Sequence, residues 1–420
     1  MINGMYTLDD FNLEGKTILA RFDMNSPLDP KTREPIEITR IKESLLTLKE
    51  LTEKGAKTVI LIHQGSDIEY HNYASTRPHA KIISQLLGKP VDYVDDVCGP
   101  AARDKIKALK NGQILMLENV RFMAEEMTLF ETKLNLSPEE QAKTIVVRKL
   151  APLADIYLCD AFAAAHRCQP TLVGIEEVLP SAMGRLLEKE ITSLNQLLKN
   201  PDKPCIFILG GAKIQDAFLM MDSILRNNIA DLVLATGLVA QVMLLAKGIS
   251  LGKPSEDLIK KKNLEEYIGQ AKGILNKFED RIELPTDLAY SISGERKEVA
   301  VSSLPINDIL MDLGQGTISE YESIIKNTKT IFFNGPAGVF EKAETELGTK
   351  SILSAIAKSN AFSVLGGGDS IAAVTKYNLA NHISYISTGG GALVRFLSGE
   401  ELPVIKALKK SSRKFPCDNS

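Results

Sequence analysis

Four arginines, two histidines and several carboxylates stand where they could act together on an anion. Arg21, Asp23 and Asn25 close one short apolar run, and His63 closes a second. Glu118, Asn119 and Arg121 close a third, Asp160, His166 and Arg167 follow a fourth, and Arg40 opens the helical pattern after the first loop. A guanidinium is planar, permanently charged and matched to pairs of carboxylate or phosphate oxygens, so four converging would make a pocket for a small, multiply charged anion. Taken singly, an arginine is more commonly a solvated surface residue, and His63 and His166 read equally well as satisfied core or loop histidines. Neither histidine sits beside an obvious nucleophile, which argues against a covalent intermediate.

The second half carries a different chemistry. Its apolar runs end in glycine: Gly210-Gly211-Ala212-Lys213, Gly335-Pro336-Ala337-Gly338, Gly366-Gly367-Gly368-Asp369-Ser370 and Gly389-Gly390-Gly391. Glycine lets backbone N–H groups approach an anion, and a helix start behind such a turn adds a positive dipole end, so these are candidate phosphate cradles. Lys213 would add a point charge. Asp369 would suit magnesium, which takes few carboxylates and keeps phosphate or water oxygens; its plainer reading is an N-cap. An isolated glycine pair usually means a tight turn, but four at corresponding positions form a pattern.

What must position these residues is legible from end to end, because short β-rich runs alternate with helical patterns, the mark of βαβ units and an α/β fold with parallel sheets buried on both faces. The first-half strands are expected at Lys16 to Met24, Lys57 to Gly65, Val91 to Asp95, Gln113 to Arg121 and Ala154 to Ala163. The second-half strands are expected at Cys205 to Ala212, Asp231 to Gly237, Ile282 to Tyr290, Lys329 to Val339, Ala361 to Ser370 and Ile383 to Gly391. Ligands of such sheets bind outside the carboxyl ends of the strands, where the polar and glycine-rich residues fall. Met183 to Asn200 has helical apolar spacing and a Pro-rich stop, and reads as an interdomain helix with a hinge. The expected domains are 1–182 and 183–398, with 399–420 packing back on the first.

Composition narrows the function. A chain of 420 residues exceeds what one core usually holds, and a net charge of -3 with 25% charged residues leaves no global basic field for nucleic acid or an anionic membrane. The N-terminal MINGMYTLDD lacks a basic stretch and an apolar core, so the cytosol is the default. Leu232 to Ala246 is too short for a membrane span and reads as a buried strand turning into a core helix. Five cysteines without a C-x-x-C pair fit reduced thiols better than a zinc site. Gly15-Lys16-Thr17 precedes a strand instead of following one, so it is no Walker A loop, and G-x-G-x-x-G is absent.

Together, RFDMNSP at Arg21 to Pro27, ITRI at Ile38 to Ile41, HQG at His63 to Gly65, LENVRF at Leu117 to Phe122 and DAFAAAHR at Asp160 to Arg167 resemble the phosphoglycerate kinase family. So do GGAK at Gly210 to Lys213, NGPAGVFE at Asn334 to Glu341, GGGDS at Gly366 to Ser370 and STGGGA at Ser387 to Ala392, and HQG looks most like the archaeal branch. The resemblance runs over nearly the whole chain. It implies two Rossmann-like parallel-sheet domains joined by an interdomain helix and hinge. It implies reversible transfer between ATP and 3-phosphoglycerate with magnesium, in glycolysis or gluconeogenesis, by a monomer whose partners are these small molecules, with no nucleic acid and no membrane. Arg21, Asp23, Asn25, Arg40, Arg121, Arg167 and the loop His63, Gln64, Gly65 and Ser66 would hold the acid. Arg40 and Lys213 would act in catalysis. Gly211, Lys213, Gly237, Asn334, Glu341, Gly367, Gly368, Asp369, Ser370, Gly390 and Gly391 would hold nucleotide, and Asp369 the metal.

The chain departs from the family at the loop after His63, where the commoner H-x-G-R-P gives way to His63-Gln64-Gly65-Ser66-Asp67. Losing one charge-assisted contact would cost about 1.5–3 kcal/mol of binding. Arg77 is the next cation along this loop. Ala217 stands where many members carry a second lysine, Thr236 where a glycine is usual, and Phe333 where a tryptophan is usual. Two other readings stay open: a paralogous kinase for a different small carboxylic acid, and a non-catalytic family member.

Overall fold

The protein is described by a computed structural model covering residues 1–65, 73–199 and 201–417. It divides into two compact units, 1–191 together with 401–420, and 192–400. The first contains Tyr6–Thr7 (β1), Thr17–Phe22 (β2), Lys57–Leu61 (β3), Val91–Tyr93 (β4), Ile114–Met116 (β5), Ile156–Asp160 (β6) and Ser181–Met183 (β7). These form one sheet in the order β1-β7-β6-β2-β3-β5-β4, with every pairing parallel. All six residues of β2 are buried, because helices cover both faces and leave no solvent side to call for alternation. Helix Thr39–Glu53 supplies Ile41, Leu48 and Leu51 to the core, packed with Ile18, Ala20, Ile60 and Met116.

The second unit holds Cys205–Leu209 (β8), Leu232–Ala235 (β9), Ile282–Glu283 (β10), Asp287–Ile292 (β11), Glu295–Ala300 (β12), Leu310–Leu313 (β13), Thr330–Asn334 (β14), Phe362–Gly366 (β15) and Tyr385–Ile386 (β16). Six of them make a parallel sheet in the order β10-β9-β8-β14-β15-β16, and β12-β11-β13 make a small antiparallel one. The single strand expected at Ile282 to Tyr290 is therefore two strands in two sheets. Pro285 between them has no N–H to offer a ladder, so the run cannot continue as one strand. The turn joining β11 to β12 has positive φ at both Ser293 (52°) and Gly294 (84°), as a tight hairpin requires. Leu232 to Ala246 is the expected strand and helix, β9 followed by Gly237–Ala246.

The expected helix at Met183 to Asn200 is realised as Arg185–Lys199, and Met183 ends β7 instead. Gly184 is needed between them: a Cβ there would lie 2.3 Å from the Asp160 carboxyl carbon. That carboxylate accepts from Leu187 N (2.8 Å) and the Thr47 hydroxyl (2.6 Å), so Asp160 caps this helix and is spent on structure. Helix Pro403–Lys414 returns to the first unit. Its Val404, Ile405 and Leu408 are buried, its Ser411 hydroxyl donates to Leu179 O at 3.0 Å, and Lys410 pairs with Glu177 at 2.6 Å. All five cysteines are free thiols, and among the described residues no helix is long and apolar enough to cross a membrane.

Candidate active site

In the first unit the sheet order sets β6, β2, β3 and β5 side by side, and the turns leaving their carboxyl ends therefore share one rim. Asp23, just past β2, is 6% exposed. One of its oxygens accepts from Arg40 Nη1 at 3.0 Å and from Asn25 N at 3.1 Å. Arg40 reaches it from the first turn of helix Thr39–Glu53, whose start is fixed by Glu37 accepting from Thr39 N at 2.7 Å. Burial pushes the Asp23 carboxyl up, but Arg40, His63, the Asn25 N–H and Arg21 together outweigh it and hold it below its usual value.

The turn after β3 is tied to its neighbours. Asn25 Oδ1 accepts from Gly65 N at 3.0 Å, while Gln64 clamps Ser26 twice, at 3.1 Å and 2.8 Å. Gln64 thereby braces the loop while also bordering the cavity described below. Asn119 holds the opposite side, accepting from Gln64 N (3.1 Å) and Arg121 N (3.1 Å). Arg121 donates to Gly65 O and is nearly buried, with its Nε unpartnered among the described residues. Burial, reinforced by Arg21 and Arg167, lowers its pKa. His63 is pulled well below the ordinary histidine range, first by burial and then by Arg21, Arg121 and Arg40 against the opposing Asp23. Arg167 lies 3.7 Å from Glu131. Glu118 accepts from Thr76 N (2.7 Å) and the Tyr93 hydroxyl (2.5 Å), a structural use. Ser66 lies outside the described residues.

Asn25, Ser26, Arg40, Gln64 and Gly65 line a cavity of about 640 Å³ together with Arg33 and Glu37, two residues the sequence reading passed over. Arg33 stands in left-handed backbone (φ 61°), in a turn in which Asp29 accepts from Lys31 N and Thr32 N at 2.8 Å and 2.7 Å. The one signal in the sequence that could have marked this loop is the Asp29-Pro30 dipeptide, a turn former. Arg77 does not line the cavity; its guanidinium lies 4.6 Å over the Tyr93 ring.

In the second unit the glycine turns follow β8, β9, β14, β15 and β16, again neighbours in the sheet. A Cβ on Gly335 (φ 85°) would lie 2.2 Å from Gly210 O, and one on Gly367 (φ 87°) 2.5 Å from Asn334 Oδ1, so backbone and side-chain polar groups approach where only glycine fits. Gly335 N donates to the Ser370 hydroxyl at 2.8 Å. Gly211, Lys213, Asn334, Gly367, Gly368, Asp369 and Ser370 surround one small recess. Asp369, exposed in the first turn of helix Gly368–Lys376, also borders a cavity of about 480 Å³. That cavity is lined by Gly237, Leu238, Leu258, Met311, Val339, Phe340 and Glu341, apolar save for its rim. Gly390 (φ 52°) and Gly391 open helix Gly391–Leu397 and border neither space. Phe333, Thr236 and Ala217 are all buried, so the three departures at these positions are core packing.

Guanidinium groups poised around a carboxylate in one unit, and amide cradles beside an apolar slot in the other, are the equipment of an α/β phosphotransferase that handles a nucleotide and a small anionic acceptor. Comparison with known proteins narrows the class. Residues 8–400 match the family model described as phosphoglycerate kinase. The phosphoglycerate kinase of Methanobacterium bryantii is 46% identical over 409 residues, 97% of this chain and 98% of that one. The enzyme of Pyrococcus horikoshii is 45% identical over 415 residues, covering 98% and 99%. The crystal structure of the Pyrococcus horikoshii enzyme superposes with a TM-score of 0.88 at 44% identity, covering 98% of this chain and 100% of that one. The Coxiella burnetii structure follows at 0.82 and 31%, covering 97% and 99%. The chain belongs to the phosphoglycerate kinase family, kinases whose acceptor is a carboxyl group.

Proposed function

We propose that this chain transfers a phosphoryl group reversibly between magnesium ATP and the carboxylate of 3-phosphoglycerate, and that the observation carrying the reading is Arg40, held by Asp23 and lining a polar cavity together with Arg33. The acceptor carboxylate is already ionised at neutral pH, so no general base is required, and positioning with charge stabilisation does the work. Arg121, Arg167 and His63 orient the anionic acceptor. Arg40 faces the transferring phosphoryl, and Asp23 keeps its guanidinium in one pose. In the second unit, apolar Leu238, Met311 and Val339 suit an adenine, Glu341 a ribose hydroxyl pair, and the turns at Gly211, Gly335 and Gly367 the phosphates. Lys213 neutralises developing charge on the bridging oxygens.

Asp369 fits magnesium: an exposed carboxylate in the first turn of a helix beside a glycine cradle is the single hard ligand such a phosphate-bound ion takes. When bound, the ion would supply charge neutralisation on the phosphate oxygens. The test is 3-phosphoglycerate-dependent conversion of ATP to ADP with magnesium, the acyl phosphate being drawn off by glyceraldehyde-3-phosphate dehydrogenase and followed as NADH loss. Robust turnover is expected. Binding of ADP without turnover would refute this acceptor and direct the search to other small carboxylic acids.

A further inference from the structure

Arg21 is wholly buried, at 0% exposure, although its place at a strand end groups it with the cations expected to hold the anion. Each of its nitrogens is engaged inside the protein. Nε donates to Thr171 Oγ1 at 3.1 Å, Nη1 to Phe22 O at 2.6 Å, and Nη2 lies 3.1 Å from His63 Nδ1. Thr171 is held from behind, its N–H donating to one Glu126 oxygen at 2.6 Å and its hydroxyl to the other at 2.9 Å. That hydroxyl, committed as a donor to Glu126, is left as an acceptor toward Arg21.

A guanidinium has donors only, so His63 Nδ1 must accept; a neutral imidazole accepting at one nitrogen carries its proton on the other. We propose that Arg21 is a positioning residue which, aligned by Thr171 and Glu126, fixes His63 as the neutral Nε2–H tautomer, so that the ring offers the acceptor a permanent hydrogen-bond donor and not a switchable charge. An imidazolium would set a donor at Nδ1 against a donor on Arg21. It would also add charge beside Arg21, Arg121 and Arg40, with Asp23 the nearest opposing carboxylate acting on the ring. The planar fork is essential, because it couples the direction of Nε to that of Nη2 as a lysine cannot. The tautomer follows from the hydrogen bonds; its service to the acceptor rests on the acceptor site proposed above.

With five histidines in the chain, isotope-labelled imidazole nitrogens can be read directly by NMR, and the His63 ring assigned by its loss in His63→Gln. In the wild-type protein at neutral pH, Nδ1 is expected to resonate as an unprotonated nitrogen and Nε2 as a protonated one, with 3-phosphoglycerate shifting Nε2. An imidazolium, or a proton on Nδ1, overturns the assignment whatever the variants do. Thr171→Val should mix the tautomers and raise KM for 3-phosphoglycerate about tenfold, the smaller effect falling on kcat, while Thr171→Ser restores both. A folded Thr171→Val that keeps one Nε2–H tautomer and an unchanged KM refutes the relay. If the wild-type enzyme turns over 3-phosphoglycerate while Nε2 stays unperturbed at saturation, the acceptor-facing role is refuted. Absence of any turnover instead counts against the acceptor of the preceding subsection, and the tautomer then stands or falls on its own spectrum.

Discussion

Asp23 carries almost no exposed surface, yet it holds the partly exposed Arg40 through one 3.0 Å contact. Removing the guanidinium by Arg40→Ala should reduce turnover about a hundredfold or more, since a cation stabilising a transferring phosphoryl is worth several kcal/mol. Calorimetric ADP binding should survive in that variant, and near-normal turnover would remove Arg40 from the mechanism. Arg33 is expected to serve the acceptor where the loop offers Ser66 and Asp67 in place of a basic residue. Arg33→Ala should raise KM for 3-phosphoglycerate about tenfold with kcat little changed, a loss of one charge-assisted contact. An unchanged KM would leave Arg33 a lining residue without a role. The sequence showed Arg40 because it opens a helix after a strand end, whereas Arg33 is hidden by its setting: nothing in a Pro-Lys-Thr-Arg turn reveals which way the turn faces.

At the scale of elements, strand ends were the readable feature. Each parallel strand is an apolar run with β-rich residues, and burial on both faces makes such runs stand out from helical spacing. The exposed β12, ERKEVA, has no apolar stripe to announce it, and β1 and β7 are too short to show a period. Asp160 and Glu118 stand at strand ends like the functional residues, but their carboxylates cap a helix and bind Tyr93; sequence position cannot separate these uses. The cradle is more demanding than a list of glycines implies. Gly367→Ala would force a Cβ into left-handed backbone and against Asn334, so ADP affinity should fall about tenfold or more. Titration calorimetry on a variant with wild-type circular dichroism would check it, and undiminished affinity would place the phosphates elsewhere.

For the molecule as a whole, the first unit keeps unusual acids in its interior. Glu176 is 1% exposed and, among the described residues, neither of its oxygens has a hydrogen-bond partner; burial raises its pKa well above the usual carboxylate range. Burial also raises Glu126 to about 7 and Asp160 to about 6. Folded, each keeps its proton only over the window between its ordinary and its raised value, Asp160 and Glu126 releasing theirs by about neutral pH to accept as described above, so the contribution to stability is fullest at acid pH and is lost as pH rises through the folded pKa. Glu176→Gln, which keeps the shape and cannot ionise, should raise the melting midpoint at alkaline pH by about 2–4 °C and change it less in acid. Equal shifts at both ends of the range would contradict the protonated state.

The same unit is written in two pieces, 1–191 and 401–420, with all of the other unit between them. A ribosome therefore releases all seven strands of the first sheet long before helix Pro403–Lys414 exists to bond Leu179 O and pair Glu177. Domains generally fold as they emerge. Here the second unit can be finished on the way out, and the unit begun first must wait, partly uncovered, for residues 401–420.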